Sequence, residues 1–442
     1  MKKISWVLIS ALFLAAAAQA QEPVPGVTLS FRDTLRIADE RNADILVSRD
    51  RIDEALSRLT QARSYFFPDI SGEVSENRRT ENLETFGFPL PPSSPALAGP
   101  YNVFDARVRI TQTLFDVAMI RRFHAAAAGG DLSKAESRKV REDVLALAGT
   151  LFVQARRAES RVDYARENLR LAAKRDRIVR QRLGLGTASE TEVKSAAASL
   201  SSARYLWRSA RSDASAALLD LKNTLGYSPR QEIQLLDDSI GADMPVAENI
   251  PAIAEKHPDI AVLDARRRES KHEEAAERAA FLPSVQGTAD YGATGRSADH
   301  TENTYFYGVK ASWDFFDFGR RSSRVREAAA RSREAKTNLD QGLREKESKI
   351  YEARDALKNA RRYLRAGQDS WLYEKTVYET VKNRFENGSA SGLDLIAAQT
   401  SLARSADELE ESKLLYRIAG INLNHALGRM KNFQEETTDE KN

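Results

Sequence analysis

Apolar positions along two very long stretches recur in alternating steps of four and three. In the later stretch Leu339, Leu343, Lys346, Ile350, Ala353, Leu357, Ala360 and Leu364 open a run that reaches Phe385. The same alternation returns from Leu395 through Leu402, Leu409 and Tyr416 to Leu427. The earlier stretch keeps it through Val144, Leu147 and Leu151, takes one extra step of four to Ala155, and continues via Ala158, Val162, Ala165 and Leu169. A sustained 3.5-residue period predicts helices packed knobs-into-holes with left-handed supercoiling. Many seam positions are alanine, which lets neighbouring helices approach closely.

Four shorter segments change to period two. Ile70, Gly72 and Val74 alternate with Ser71, Glu73 and Ser75, and Phe104, Ala106, Val108 and Ile110 alternate with Asp105, Arg107, Arg109 and Thr111. Val285, Gly287, Ala289 and Tyr291 oppose Gln286, Thr288 and Asp290; Tyr305, Tyr307, Val309, Ala311 and Trp313 oppose Phe306, Gly308, Lys310, Ser312 and Asp314. A half-buried soluble sheet and a membrane barrel both show one apolar and one charged face. Closure separates them. Four strands leave open edges, which lipid does not tolerate, so a barrel of this sequence needs several chains.

The chain also matches itself. Ile37-Ala38-Asp39-Glu40 resembles Ile253-Ala254-Glu255-Lys256, and Phe66-Phe67-Pro68-Asp69-Ile70 resembles Phe281-Leu282-Pro283-Ser284-Val285. Leu114-Phe115-Asp116 meets Phe315-Phe316-Asp317, Gly186-Thr187-Ala188-Ser189 meets Gly388-Ser389-Ala390-Ser391, and Leu225-Gly226 meets Leu427-Gly428. Blocks recurring in one order predict a duplication. The resulting division is a leader over 1–20, a first repeat over 21–226, a linker over 227–249, a second repeat over 250–430 and a polar, disordered tail over 431–442. A proline-rich insertion, Phe88 to Pro92, distinguishes the first repeat.

Each repeat reads as helix, strand, strand, very long helix, glycine turn, helix. The first runs Thr34–Phe66, then Val117–Leu183, then Glu190–Leu225; the second runs Pro251–Phe281, then Phe318–Phe385, then Gly392–Leu427. Each long helix spans on the order of 100 Å at 1.5 Å per residue. Its two shorter partners together reach almost as far. The expected arrangement is a tall antiparallel helical wall with glycine tips at one end and strands at the other.

Composition narrows the classes. Of 442 residues, 67 are Lys or Arg and 64 are Asp or Glu, a balance without the basic excess of a nucleic-acid binder. With no cysteine there is neither a disulfide framework nor a lipid-bearing N-terminal cysteine. Lys2 and Lys3 precede the apolar run Trp6 to Leu14, which closes on Ala18-Gln19-Ala20. That is the pattern of a secretory leader cut after Ala20. No later stretch is long and apolar enough for a membrane helix, so insertion in a bilayer has to be by strands.

The Phe66-Phe67-Pro68 block and its copy, the Gln112-Thr113-Leu114-Phe115-Asp116 block with Asp314-Phe315-Phe316-Asp317-Phe318-Gly319, and the turns at Gly186 and Gly388 resemble the TolC family of outer-membrane efflux and secretion channels. The resemblance covers about Leu29 to Leu427. It implies a mainly α fold with a small β part, in which a homotrimer closes a twelve-stranded barrel in outer-membrane lipid and a twelve-helix periplasmic tunnel, with an equatorial belt around Tyr227–Asn249. It further implies a passive exit duct of a tripartite efflux pump or type I secretion system. Such a duct is opened by a periplasmic adaptor (a membrane fusion protein) and an inner-membrane transporter.

Site residues follow from the same resemblance. Asp394 falls on the family's first acidic ring position at the periplasmic gate, and Glu192 is its equivalent in the first repeat. Ala397 stands at the second ring position and Ala390 at the partner position of a gate-locking arginine, so a double ring and that lock are not expected. Gly184, Leu185, Gly186, Thr187, Gly388 and Ser389 form the expected adaptor-docking tips. Asp105, Arg107, Arg109, Lys310 and Asp314 are expected on the barrel lumen, with Asp290 on the same polar side. First-turn carboxylates also favour the helix dipole on structural grounds alone.

No catalytic constellation emerges. His124, His257, His272, His300 and His425 lack metal-ligand spacing. Gly184-Leu185-Gly186 lacks the third glycine and preceding strand of a dinucleotide loop, and no Gly-Lys-Ser/Thr phosphate loop occurs. No cofactor, no nucleic acid and no enzymatic activity are expected. A periplasmic adaptor would carry one hairpin and a β-rich segment. A soluble coiled-coil structural protein would lack aromatic-flanked strands.

Overall fold

The computed structural model describes residues 27–87, 95–236 and 249–431. The leader, the Phe88–Pro92 insertion, positions 237–248 of the linker and the tail past 431 lie outside the described residues. In chain order the elements are β1 (Val27–Leu29), α1 (Phe31–Arg41), α2 (Ala43–Ser64), β2 (Asp69–Asn82), β3 (Leu97–Phe115), α3 (Val117–Gly184), α4 (Glu190–Thr224) and β4 (Ile233–Leu235), then α5 (Ile250–Glu255), α6 (Pro258–Ala279), β5 (Ser284–Ser297), β6 (His300–Ser312), α7 (Arg320–Glu386) and α8 (Gly392–Ala426). A one-turn 3-10 helix, Leu83–Phe86, follows β2.

The chain forms two compact units, and each takes segments from both halves of the sequence. One holds the described residues within Met1–Leu46, Val140–Ile250 and Glu347–Asn442; the other holds Val47–Lys139 and Pro251–Lys346.

In the first unit, α1 starts on a capping box. Ser30 Oγ accepts from the Asp33 N–H while Asp33 reaches back to Ser30. Phe31, Leu35 and Ala38, spaced for one helix face, join Val144, Leu145 and Phe152 of α3, Leu221 of α4, and Ile421 and Met430 near the chain's end in one apolar core. Phe31 and Phe152 meet edge to face at 5.7 Å between ring centroids. β1 and β4 pair in parallel, Val27 opposite Ile233 and Leu29 opposite Leu235, so the linker segment supplies a strand. Two three-residue strands carry no periodicity that a sequence reading could detect.

In the second unit the sheet order is β2-β3-β5-β6 and every pairing is antiparallel. In the same unit α3 and α6 share a small seam of Leu132, Ala135 and Ala265.

Two helices expected to be continuous are broken. The one expected over Thr34–Phe66 splits at Asn42, whose backbone is extended (φ −62°, ψ 132°). The one expected over Pro251–Phe281 splits before His257, which caps α6 with Pro258 at the first helical position. The long helices run unbroken for 68 and 67 residues, within two residues of the expected limits. β6 ends at Ser312, so Asp314 lies beyond the strand on which it was expected.

Candidate functional site

The two glycine tips, both in the first unit, are built alike. After α3, the Gly186 N–H donates to Leu183 O (2.9 Å) and the Thr187 N–H to Arg182 O (2.8 Å); after α7, Gly388 donates to Phe385 O (3.0 Å) and Ser389 to Arg384 O (2.7 Å). These are the paired bonds of a Schellman ending. Gly186 and Gly388 both sit at φ +73°, in the left-handed region that favours glycine. Thr187 Oγ1 and Ser389 Oγ each donate to the carbonyl of the arginine five residues back. That arginine donates back across the turn, Arg182 to Thr187 O at 2.8 Å and Arg384 to Ser389 O at 3.5 Å.

Glu192 and Asp394 are the third residues of the helices that leave the tips. Glu192 accepts from the Ser189 N–H at 2.7 Å and Asp394 from the Ser391 N–H at 2.9 Å, while Ser189 and Ser391 cap the opposite way. Donation from those backbone N–H groups holds both carboxyls below their ordinary pKa values, so both are ionised at neutral pH. The signal for this was legible as Ser-x-x-Glu and Ser-x-x-Asp. The tips differ in the residue before the turn glycine. Leu185 is an apolar side chain 78% exposed, and Asn387 holds the equivalent place.

A separate candidate site is the sheet in the second unit. Its register places Ser71, Arg109 and Asp290 in one row, Glu73, Arg107 and Gly292 in the next, and Ser75, Asp105 and Thr294 in a third, all on one face. Lys310, opposite Gln286, joins that face from β6. Arg107 pairs with Asp105 on its own strand and with Asp290 of β5 at 3.1 Å. Beside it a Cβ on residue 292 would lie 2.5 Å from the Arg107 Cβ, so only glycine fits there. The opposite face carries Ile70, Val108, Ile110, Tyr291, Tyr305 and Tyr307. Asp314 has no register position on the sheet, since β6 ends at Ser312; in the connector its backbone carbonyl accepts from Arg321 of α7.

Several charged side chains at helix contacts escaped sequence reasoning. Arg157 of α3 is nearly buried and meets Asp407 (2.7 Å) and Glu411 (3.0 Å) of α8. In the second unit Asp259 takes Lys346 at 2.6 Å and Lys139 at 2.9 Å, beside buried His257. Burial alone would raise the Asp259 pKa, but the two lysines outweigh it and hold the carboxyl well below its usual range. Lys346 stands in the apolar seam, the one signal that could have exposed this cluster. His124 and His272, far apart in sequence, stack with ring centroids 5.9 Å apart. Among the described residues no group of His, Asp and Glu is arranged to hold a metal ion, and no helix is long and apolar enough to cross a membrane.

A model of the outer membrane efflux protein family matches residues 34–227 and 249–429. The chain belongs to that family. This efflux protein is 23% identical over 431 residues to outer membrane efflux protein BepC of Brucella suis biovar 1 (strain 1330), covering 96% of its own length and 89% of BepC. It also shares its fold with the CmeC outer membrane channel of Campylobacter jejuni, at TM-score 0.78 and 20% identity over 93% of this chain and 89% of CmeC. The outer membrane protein VceC of Vibrio cholerae gives 0.74 and 17% over 90% and 96%. The family places this efflux protein in the outer membrane.

Proposed function

We propose that the protein is the exit duct of a tripartite efflux pump or type I secretion system, built as a homotrimer. The observation that carries this is the sheet. Its apolar face suits lipid, but β2 and β6 are edges with no outer partner strand among the described residues. Hydrocarbon does not tolerate open edges. The β2 edge of one copy against the β6 edge of the next is a head-to-tail contact that closes into a ring, and three copies give twelve strands.

In this reading the halves over 21–226 and 250–430, joined by 227–249, are duplicated repeats, supported by the recurring element order. Asp105, Arg107, Arg109 and Lys310 face the barrel lumen. Glu73, Asp105 and Asp290 share that face with Arg107, Arg109 and Lys310, and Arg107 pairs with two of these carboxylates, so the wall holds water without a strong preference for one ion sign. Asp394 and Glu192 form acidic rings at the periplasmic gate. Gly184, Leu185, Gly186, Thr187, Gly388 and Ser389 form the tips that receive the periplasmic adaptor. Energy comes from the inner-membrane transporter.

An outer-membrane fraction run on a gel without boiling tests the assembly. It should show a band of three chains that collapses to one on heating. Deletion of the gene should raise sensitivity to at least one toxic compound or abolish secretion of an exported protein. A monomer recovered from the soluble periplasm would overturn the proposal.

A further inference from the structure

In the second unit a cleft of about 530 Å³ opens between α3, the junction of α5 with α6, and α7. Its floor is apolar: Ala135 of α3, Ile260 and Ala261 of α6, and Leu339 and Leu343 of α7. Ile260 is buried, but Leu339 and Leu343, which open the 4-3 seam of α7, are only half-buried. The helix break shapes this space. α5 ends at Glu255 and α6 starts at Pro258, so Glu255 lines the cleft from one helix and Ile260 from the next.

Six charged side chains line the same cleft, and four of them pair with one another. Lys134 meets Asp131 at 3.9 Å and Arg268 meets Asp264 at 3.3 Å. Arg138 and Glu255 are left as one cation and one anion, and neither side chain has a hydrogen bond or ion pair among the described residues. The first half treats the matching carboxylate differently. Asp39, which aligns with Glu255, is taken by Arg141 through bonds of 2.6 and 2.5 Å. A second cleft of the unit, of about 420 Å³, has only Ala125, Ala276 and Ala328 between its arginines and glutamates, so it offers no comparable apolar floor.

We propose that this cleft binds small zwitterionic amphipaths, with their anionic group on Arg138, their cationic group on Glu255 and their apolar body over Ile260, Leu339 and Leu343. A concave site of this size with an apolar floor and a few placed charges suits a small ligand. A ligand of one sign would cover the cleft and leave the opposite charge desolvated without a partner, whereas a zwitterion answers both. That such a molecule is cargo of the duct rests on the exit-duct reading; the site itself does not.

The test uses the full chain in maltoside detergent and three fluorescent probes that share a dansyl ring: Nε-dansyl-lysine, a zwitterion; dansylcadaverine, a cation; and 6-(dansylamino)hexanoic acid, an anion. Over the signal of protein-free micelles, the zwitterion should bind about fivefold more tightly than either of the others. Arg138→Gln should weaken the zwitterion and the anion and leave the cation unchanged. Glu255→Gln should weaken the zwitterion and the cation and leave the anion unchanged. Both variants should melt with the wild type, since neither side chain has a partner in the fold. Ala261→Phe, which fills the floor, should weaken all three probes. Equal affinities for the three probes overturn the site, as do charge variants that leave their ranking intact. So does binding to dissociated chains but not to the trimer, which would mean that a second copy covers the cleft. A conducting trimer without the ranking removes the site and leaves the duct. A protein found only as a soluble monomer, yet ranking the probes as expected, keeps the site and removes its reading as a cargo station.

Discussion

At Asn42 the junction of α1 and α2 is held by a side-chain amide: Oδ1 accepts from the Asp44 N–H (2.9 Å) and the Ile45 N–H (3.4 Å), while Nδ2 donates to Thr224 O (2.8 Å). At His257 the junction of α5 and α6 is held by an imidazole, whose Nδ1 accepts from the Asp259 N–H (3.1 Å). The two junctions occupy matching places in the two halves, each followed two residues later by an aspartate and then an isoleucine. Their surroundings differ. The first lies in the apolar core of its unit, with Leu35, Ala38 and Ile45. The second stands over Asp259, Lys346 and Lys139. Val144 and Lys346 make the contrast concrete, because both are 5% exposed and both stand 42 residues before a tip glycine. A helix break demands a cap; it does not dictate whether apolar packing or an ion cluster closes the space around it.

The apolar version is the more sensitive to lost volume. Leu145→Ala, at a position with no exposure, should cost about 4 kcal/mol in denaturant unfolding of the detergent-solubilised protein. A loss under about 1 kcal/mol would mean the two surroundings do not differ in kind. The ionic version should respond to charge. Asp259→Asn strands buried Lys346 and should cost about 3 kcal/mol, most of it recovered when Lys346→Met is added. The pH dependence has a definite sign. The folded pKa of Asp259 is depressed, so its contribution is complete above the unfolded value of about 4 and is lost as pH falls below that toward the folded value. Wild type should therefore lose stability below about pH 4 more steeply than Asp259→Asn.

The caps themselves should matter less. Asn42→Ala should cost about 1 kcal/mol, and His257→Asn, which exchanges one capping acceptor for the other, should cost less than that by the same measurement. The smallest expected difference is between the two tips. Gly186→Ala and Gly388→Ala should each cost about 1 kcal/mol and differ from one another by only a few tenths, since both glycines hold the same φ. Unequal costs would show that the tips are not equivalent backbones.

What could be read beforehand followed from periodicity. The 4-3 seam located α3, α4, α7 and α8 to within two residues because long runs of local pattern average out individual exceptions. The alternation in β2, β3, β5 and β6 gave the correct faces for Asp105, Arg107, Arg109 and Lys310. Pattern failed where one side chain decides. Asn42 and His257 break helices by capping from inside an otherwise helical text, and β1 finds β4 some two hundred residues away. Asp314 kept the strand's alternation, yet β6 had already ended, because Asp317 and Arg321 organise the start of α7 instead. The tip carboxylates were found, but their engagement with Ser189 and Ser391 was not.

The first unit draws its apolar core from three distant stretches, with Leu29 and Phe31 near one end of the chain packed in the same cluster as Ile421 and Met430 near the other. A polypeptide threaded through an export channel from its N-terminus therefore delivers the early half of this core long before its complement arrives. During that interval Phe31 and Leu35 lack part of the apolar cover that Ile421 and Met430 give them in the folded unit. Trimming the chain ahead of Ile421 should leave a product that never matures and is cleared by proteases, rather than a shortened duct.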